Sequence, residues 1–145
     1  MDLPVLIRSL RSFGLFMAGL LLSSPLWADD LTDSNSLLCY GWSAARCTNE
    51  VECEVMEPYE LNLPDFLKID LRTRIAVTTE TAPEVRETEI QTLEREDGRI
   101  ILQGRQSGRA FSWVIQETTG EGTLTVSTLE AGITVFTVCT PTENL

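Results

Sequence analysis

The sequence predicts an all-β domain, folded as a small antiparallel up-and-down barrel or as a strongly twisted meander of about eight strands. Three observations lead to this prediction. Apolar and polar residues alternate with period two in many short segments. Glycine-containing turn signals recur about every 10–12 residues in the second half of the chain. No segment after residue 28 carries the sustained three-to-four residue periodicity of an amphipathic helix.

The first 28 residues have the layout of a cleavable secretory signal. Arg8 and Arg11 precede an apolar run at residues 13–22, and Ala28 supplies the small residue of a cleavage site. The alternative is a transmembrane anchor, but the apolar run is shorter than the roughly 20 residues needed to span a bilayer. We therefore expect residues 1–28 to be a signal peptide and the protein to be periplasmic or secreted.

Residues 29–36 are polar and predict a flexible lead-in, and residues 37–141 predict a single disulfide-bonded β domain. The first part of that domain is irregular, with strict alternation at residues 50–55 and again at 66–71, and each predicts a half-buried strand. Irregular connections with two prolines separate the two strands.

The second part of the domain, residues 84–139, is more regular. Asp97-Gly98 predicts a two-residue hairpin turn, because both central residues of that turn need positive φ. Further turn signals occur at Gly108, Gly120 and Gly132. Phe111, Trp113 and Ile115 alternate with polar or smaller residues, which predicts that the two aromatic residues belong to the core. Consecutive strands joined by such turns favour hairpin-linked neighbours.

Four cysteines follow the predicted signal, and an oxidising compartment favours disulfides between them. Four cysteines allow three connectivities. We prefer Cys47–Cys53, across a short loop, together with Cys39–Cys139, because the first and last strands of a closed barrel are neighbours. The spacings do not match the short knuckles of structural zinc sites, so we expect no metal.

The composition limits the possible functions. The chain has a formal net charge of −11 and no histidine. A strongly acidic surface repels phosphate backbones and anionic lipids, so we expect no nucleic-acid partner and no membrane association after signal cleavage. Catalytic triads that depend on histidine are impossible, and no other catalytic set stands out. We expect a monomeric protein that is not an enzyme and needs no cofactor.

The segment from Gly104 to Arg109 is the most unusual local feature. Two glycines and two arginines predict a tight polar loop before the aromatic strand. Arg105 and Arg109 could grip an anion or carboxylate together, or they could pair with surface acids at the end of a simple hairpin. Trp42, in a short strand flanked by loops, is a further candidate ligand contact.

Three parts of the chain are similar to a family of small exported proteins from Gram-negative bacteria. They are residues 63–71, residues 101–115 without the loop at 105–107, and the closing Cys139-Thr140. The resemblance covers most of the chain after the signal. It implies an all-β periplasmic domain, and it implies no activity and no functional residue.

The leading hypothesis is a non-enzymatic periplasmic module that binds a protein, a peptide or a small ligand. One alternative is a carboxylate-dependent glycan hydrolase, which needs two acids roughly 5–10 Å apart at the floor of a cleft. Another is an inhibitor of a secreted hydrolase that presents the 47–53 loop.

Overall fold

The structure is a computed structural model that describes residues 30–50, 52–79 and 84–142. The predicted signal peptide lies outside these residues. The strands are β1 (Ser36–Thr48), β2 (Glu54–Met56), β3 (Phe66–Asp70), β4 (Ile75–Thr78), β5 (Glu87–Glu89), β6 (Thr92–Glu96), β7 (Arg99–Gln106), β8 (Arg109–Gln116), β9 (Glu121–Ser127) and β10 (Ala131–Pro141). A 3-10 turn at Pro58–Leu61 follows β2. Within these ranges, no helix has the length and apolar character needed to cross a membrane.

The strands form one antiparallel sheet that curls into a half-barrel. Its order is β5-β4-β3-β1-β10-β9-β8-β7-β6, and β2 pairs with the second half of β1. The predicted all-β fold is therefore confirmed. β1 and β10 pair at the centre of the sheet, and the order is that of an up-and-down barrel interrupted between β5 and β6. The described residues hold ten strands rather than about eight, because β2 and β5 are only three residues long and too short to show clear alternation.

The two edge strands β5 and β6 are joined through only Ile90 and Gln91. At this seam the Gln106 side chain, on β7, donates a 2.6 Å hydrogen bond to the carbonyl of Glu87. The same side chain accepts a 2.6 Å hydrogen bond from the Thr88 hydroxyl. In a complete barrel, a backbone ladder would join the two edges of the sheet. Here, side-chain hydrogen bonds connect β5 to β7 instead.

Two hairpins have the two-residue turns that positive φ permits. Asp97 and Gly98 have φ of 51° and 71°, which confirms the predicted turn. Ser107 and Gly108 repeat the geometry with φ of 51° and 78°. The polar loop predicted over residues 104–109 is therefore only the turn at 107–108, and the residues on either side of it belong to β7 and β8.

The core lies on the concave side of the sheet, where the period-two alternation directs the apolar residues. Its fully buried members concentrate at one end of the half-barrel, called here the packed end. The largest of these side chains are Leu31, Leu37, Ile69, Ile90, Ile100, Leu102 and Ile115.

Residues 30–35, which belong to the predicted lead-in, contact the packed end through a buried leucine and backbone hydrogen bonds. Leu31 is completely buried, and its N–H donates a 2.8 Å hydrogen bond to the carbonyl of Glu117. The Arg95 guanidinium donates 2.6 Å hydrogen bonds to the carbonyls of Thr32 and Ser34 and forms an ion pair with the buried Glu117 carboxylate. Two contacts therefore anchor this polar segment: the buried side chain of Leu31, and the guanidinium of Arg95, which binds the backbone carbonyls of the segment.

Both preferred disulfides are present. Cys39 and Cys139 lie opposite each other on β1 and β10, with a Cα–Cα distance of 4.0 Å, and Cys47 and Cys53 have a Cα–Cα distance of 4.1 Å. The strand predicted over residues 50–55 is displaced to β2, because the short bridge draws Cys53 back towards the end of β1. Two disulfides in one small domain indicate an oxidising compartment.

Candidate functional site

A cavity of about 550 Å³ occupies the end of the half-barrel opposite the packed end. The concave sides of β3, β4, β7, β8 and β9 enclose it, and the segment 84–88 forms one wall. This end also carries the 107–108 turn. The cavity is within the size range of small-molecule sites in proteins, which is roughly 300–1,000 Å³.

The floor of the cavity is apolar. Trp113 on β8 and Leu124 on β9 are register partners and therefore share the concave face. Both are buried, and the indole N–H of Trp113 donates a 3.0 Å hydrogen bond to the hydroxyl of Thr137. The polar atom of the tryptophan is thus satisfied by β10, and its almost fully buried ring closes the bottom of the cavity.

The side walls continue this apolar surface towards the opening. Phe111 and Val126 are the next pair of register partners along β8 and β9. Leu67 and Ala76 line the cavity from β3 and β4 on the other side. All four lie in the cavity because strand residues two apart point to the same face.

The segment 84–88 is fastened by one buried side chain. The hydroxyl of Thr78 donates a 3.0 Å hydrogen bond to the carbonyl of Glu84 and accepts a 2.8 Å hydrogen bond from the N–H of Arg86. Gln106 holds the following residues through the seam bonds described above. This wall therefore depends on polar side-chain contacts from β4 and β7 more than on apolar packing.

The mouth of the cavity carries four charged residues. Arg86 forms a 2.6 Å ion pair with Glu84, so these two charges compensate each other. Glu87 pairs in register with Val77, on the convex side of the sheet. Arg109 lines the cavity, and its guanidinium forms no hydrogen bond or ion pair with any residue that the structure describes.

Arg105 and Arg109 lie on opposite faces of their hairpin. Arg109 is the register partner of Gln106 and shares the concave face with Phe111 and Trp113, whereas Arg105 pairs with Ala110 on the convex face. Both also line a second, more open cavity of about 550 Å³ beside the 107–108 turn. The structure therefore brings Arg109 alone of the two into the cavity.

Trp42 is remote from the cavity. It occupies the bulge where the register of β1 shifts against β10, and 53% of its surface is exposed. Its ring lies 5.7 Å from that of Phe136, and Tyr40 and Phe66 form a similar pair at 5.2 Å. These four rings form an exposed aromatic patch on the convex face.

Sequence reasoning assigned Phe111 and Trp113 to the core and gave no role to Arg86 or Gln106. The alternation along β8 is the sequence pattern that could have assigned residues of this strand to the cavity. Once the two-residue turn is fixed at 107–108, period two puts Arg109, Phe111 and Trp113 on one face. Arg86 had no such signal, because side chains of β4 and β7 hold the segment that carries it, and no alternation within the segment indicates this.

The acids of the cavity do not form a catalytic pair at its floor. Glu84 and Glu87 line the cavity only at the exposed mouth, and the floor carries no carboxylate. The two carboxyls whose pKa is lowered lie elsewhere. The pKa of Asp70 falls chiefly because the Thr73 N–H donates to it, and that of Asp30 chiefly because the Thr32 hydroxyl does. No group of three or more potential metal ligands occurs among the described residues.

Comparisons of the chain with protein-family models, with curated proteins and with solved structures give no match.

Proposed function

We propose that this protein is an exported, non-enzymatic binding module that takes up a small ligand with an apolar body in the cavity of its half-barrel. The two disulfides and the predicted signal support export, and the resemblance to small exported proteins of Gram-negative bacteria supports the periplasm as its compartment. We propose residues 1–28 as the segment removed on export.

The observation that carries the proposal is the apolar floor beneath an open mouth. Buried Trp113 and Leu124 face a space of about 550 Å³. Removing apolar ligand surface from water contributes roughly 25 cal/mol per Å², and a preformed concave site achieves this without reordering the protein. The disulfide-linked sheet supplies such a preformed site.

The glycan hydrolase alternative gains no support from this geometry. Hydrolysis of a glycosidic bond uses two carboxyl groups on either side of the bond, held at a fixed separation. At this mouth one carboxylate is paired with Arg86 and the other belongs to the convex side of β5. A binding function requires neither of them.

Fluorescence of Trp113 provides a direct test of ligand uptake. Trp42→Phe, in the protein without residues 1–28, leaves Trp113 as the remaining tryptophan. The neutral apolar dye phenylnaphthylamine, bound in the cavity, accepts excitation energy from Trp113. We therefore expect saturable energy transfer from the tryptophan to the dye.

Ala76→Phe is the informative variant, because its ring fills the cavity from β4. We expect it to weaken dye binding by about tenfold or more. Ala110→Phe adds the same ring on the convex face of β8 and serves as the matched control with unchanged binding. Equal dye affinity in the Ala76→Phe protein and its parent, with both folded, would exclude the cavity as the binding site.

A further inference from the structure

Arg109 is placed differently from the other arginines near the cavity and the packed end. Arg86 is neutralised by Glu84, and Arg95 binds backbone carbonyls and Glu117. Arg109 is exposed at the mouth, and no N–H of its guanidinium donates to a described residue. It is the first residue of β8, directly after the 107–108 turn, and it lies on the concave side.

The charge distribution around Arg109 favours an anionic ligand at this position. The chain carries a net charge of −11, so an anion approaching most of its surface is repelled. At the mouth, Glu84 is compensated and Glu87 lies on the convex side. Among the described residues that line the cavity, this leaves the guanidinium of Arg109 as the uncompensated charge on the concave face. A fork of N–H donors suits a carboxylate or a similar oxyanion.

Arg109 is also aligned with the apolar surface. Phe111 and Trp113 follow it at two-residue intervals on the same face of β8. At about 3.3 Å per residue, the Cα atom of Arg109 lies roughly 13 Å from that of Trp113 along the strand. A ligand that spans this path has an anionic group at one end and an extended apolar body.

We propose that the ligand is an amphipathic carboxylate, whose head group binds Arg109 at the mouth while its apolar chain lies along Phe111 and ends on Trp113. This assignment rests on the proposed binding function and specifies the ligand class for the same cavity. Gln106 is the register partner of Arg109, but its side chain is engaged by hydrogen bonds with β5. The head group of the ligand is therefore selected by Arg109.

The experiment compares decanoate with decanol as competitors of the phenylnaphthylamine dye. The two molecules share the same chain length and differ in the head group. In the parent protein we expect decanoate to compete at about tenfold lower concentration than decanol, as one charge-assisted contact predicts. Added salt weakens this preference, because the mouth is open to solvent.

Arg109→Gln is expected to abolish the preference for decanoate while leaving competition by decanol unchanged. Arg109→Lys keeps the charge but not the fork and is expected to retain part of the preference. Arg105→Gln removes the same charge from the convex face of the same hairpin and is the matched control, with the full preference retained. Unchanged thermal midpoints confirm that the variants are folded.

The outcomes separate this inference from the proposed function. Equal competition by decanoate and decanol in the parent protein, or a preference that survives Arg109→Gln, overturns the ligand class while cavity binding stands. A dye affinity that the cavity-filling Ala76→Phe does not change overturns both. Loss of the preference in Arg105→Gln overturns the assignment to Arg109, because Arg105 lies outside the cavity.

Discussion

Leu31 shows how much a single side chain contributes to closing this fold. It lies within an otherwise polar segment, yet it is completely buried against the packed end. Arg95 fixes the same segment by its carbonyls and pairs with Glu117. The alternation rules do not identify such a residue, because one leucine among polar neighbours has no period.

We expect Leu31→Ala to lower the free energy of unfolding by about 2–5 kcal/mol, since it removes a fully buried side chain and leaves a cavity. The matched control is Leu129→Ala, because Leu129 is fully exposed and its change should stay within about 0.5 kcal/mol. Urea titration followed by circular dichroism measures both. Equal midpoints for the two variants would contradict the anchoring of the lead-in.

At the scale of the strand, the seam between β5 and β7 depends on a residue with no side chain. A Cβ built on Gly104 lies 2.6 Å from the ring of Phe111 and 2.7 Å from the carbonyl oxygen of Glu89. The absence of a side chain therefore leaves room for both the Phe111 ring and the backbone of Glu89 on the same face of β7.

Gly104→Ala is expected to destabilise the protein by about 1–3 kcal/mol, because the backbone of Glu89 cannot yield as a flexible side chain can. Gly132→Ala is the matched control, since a Cβ at Gly132 meets no atom within 4 Å and its φ is not positive. Thermal unfolding should show a lower midpoint for the first variant alone. If Gly104→Ala has the same midpoint as the parent protein, then Phe111 and Glu89 are not in close contact with this position, contrary to this prediction.

The strands that the sequence predicts best are those whose pattern is repeated by a neighbour. Alternation on β8 and β9 is mutually consistent, and Asp97-Gly98 fixes the turn before β7. The segment at 50–55 has equally clean alternation, but the Cys47–Cys53 bridge determines its course. A covalent constraint across six residues outweighs a local preference that spans only a few side chains.

At the scale of the whole molecule, the two disulfides differ mainly in the length of chain they enclose. The Cys39–Cys139 bridge has a sequence separation of 100 and the Cys47–Cys53 bridge one of 6. The chain-entropy model assigns them stabilisations of about 4.7 and about 2 kcal/mol. The longer bridge is also buried in the core, whereas Cys53 is exposed.

Replacing both cysteines of each bridge by alanine should therefore destabilise the protein unequally. We expect the Cys39→Ala/Cys139→Ala protein to lose about 4–5 kcal/mol and the Cys47→Ala/Cys53→Ala protein about 2 kcal/mol. Denaturant midpoints of the two double variants, compared with the oxidised parent, give the measurement. A larger loss for the short bridge would show that the shape of the 47–53 loop matters more than chain entropy.

The position of the cavity was predictable only in part. The face of Arg109 follows from the turn and the alternation, but the choice between Arg105 and Arg109 requires the register of β7 against β8. The wall at 84–88 depends on hydrogen bonds from Thr78 on β4 and Gln106 on β7, both of which lie outside the segment. Such contacts leave no local pattern, because each partner is an ordinary polar residue in its own strand.

The pairing of β1 with β10 also determines the order in which the fold can be completed. A ribosome or an export channel releases the chain from its N-terminus, so β1 emerges first, and its central partner emerges last. The pairing with the greatest sequence separation must wait for nearly the whole domain, and non-local pairings of this kind fold slowly. Until then the edge of β1 that pairs with β10 has unpaired backbone N–H and C=O groups, a state prone to aggregation. The Cys39–Cys139 disulfide can therefore form only after β10 has emerged and paired with β1, at the end of folding.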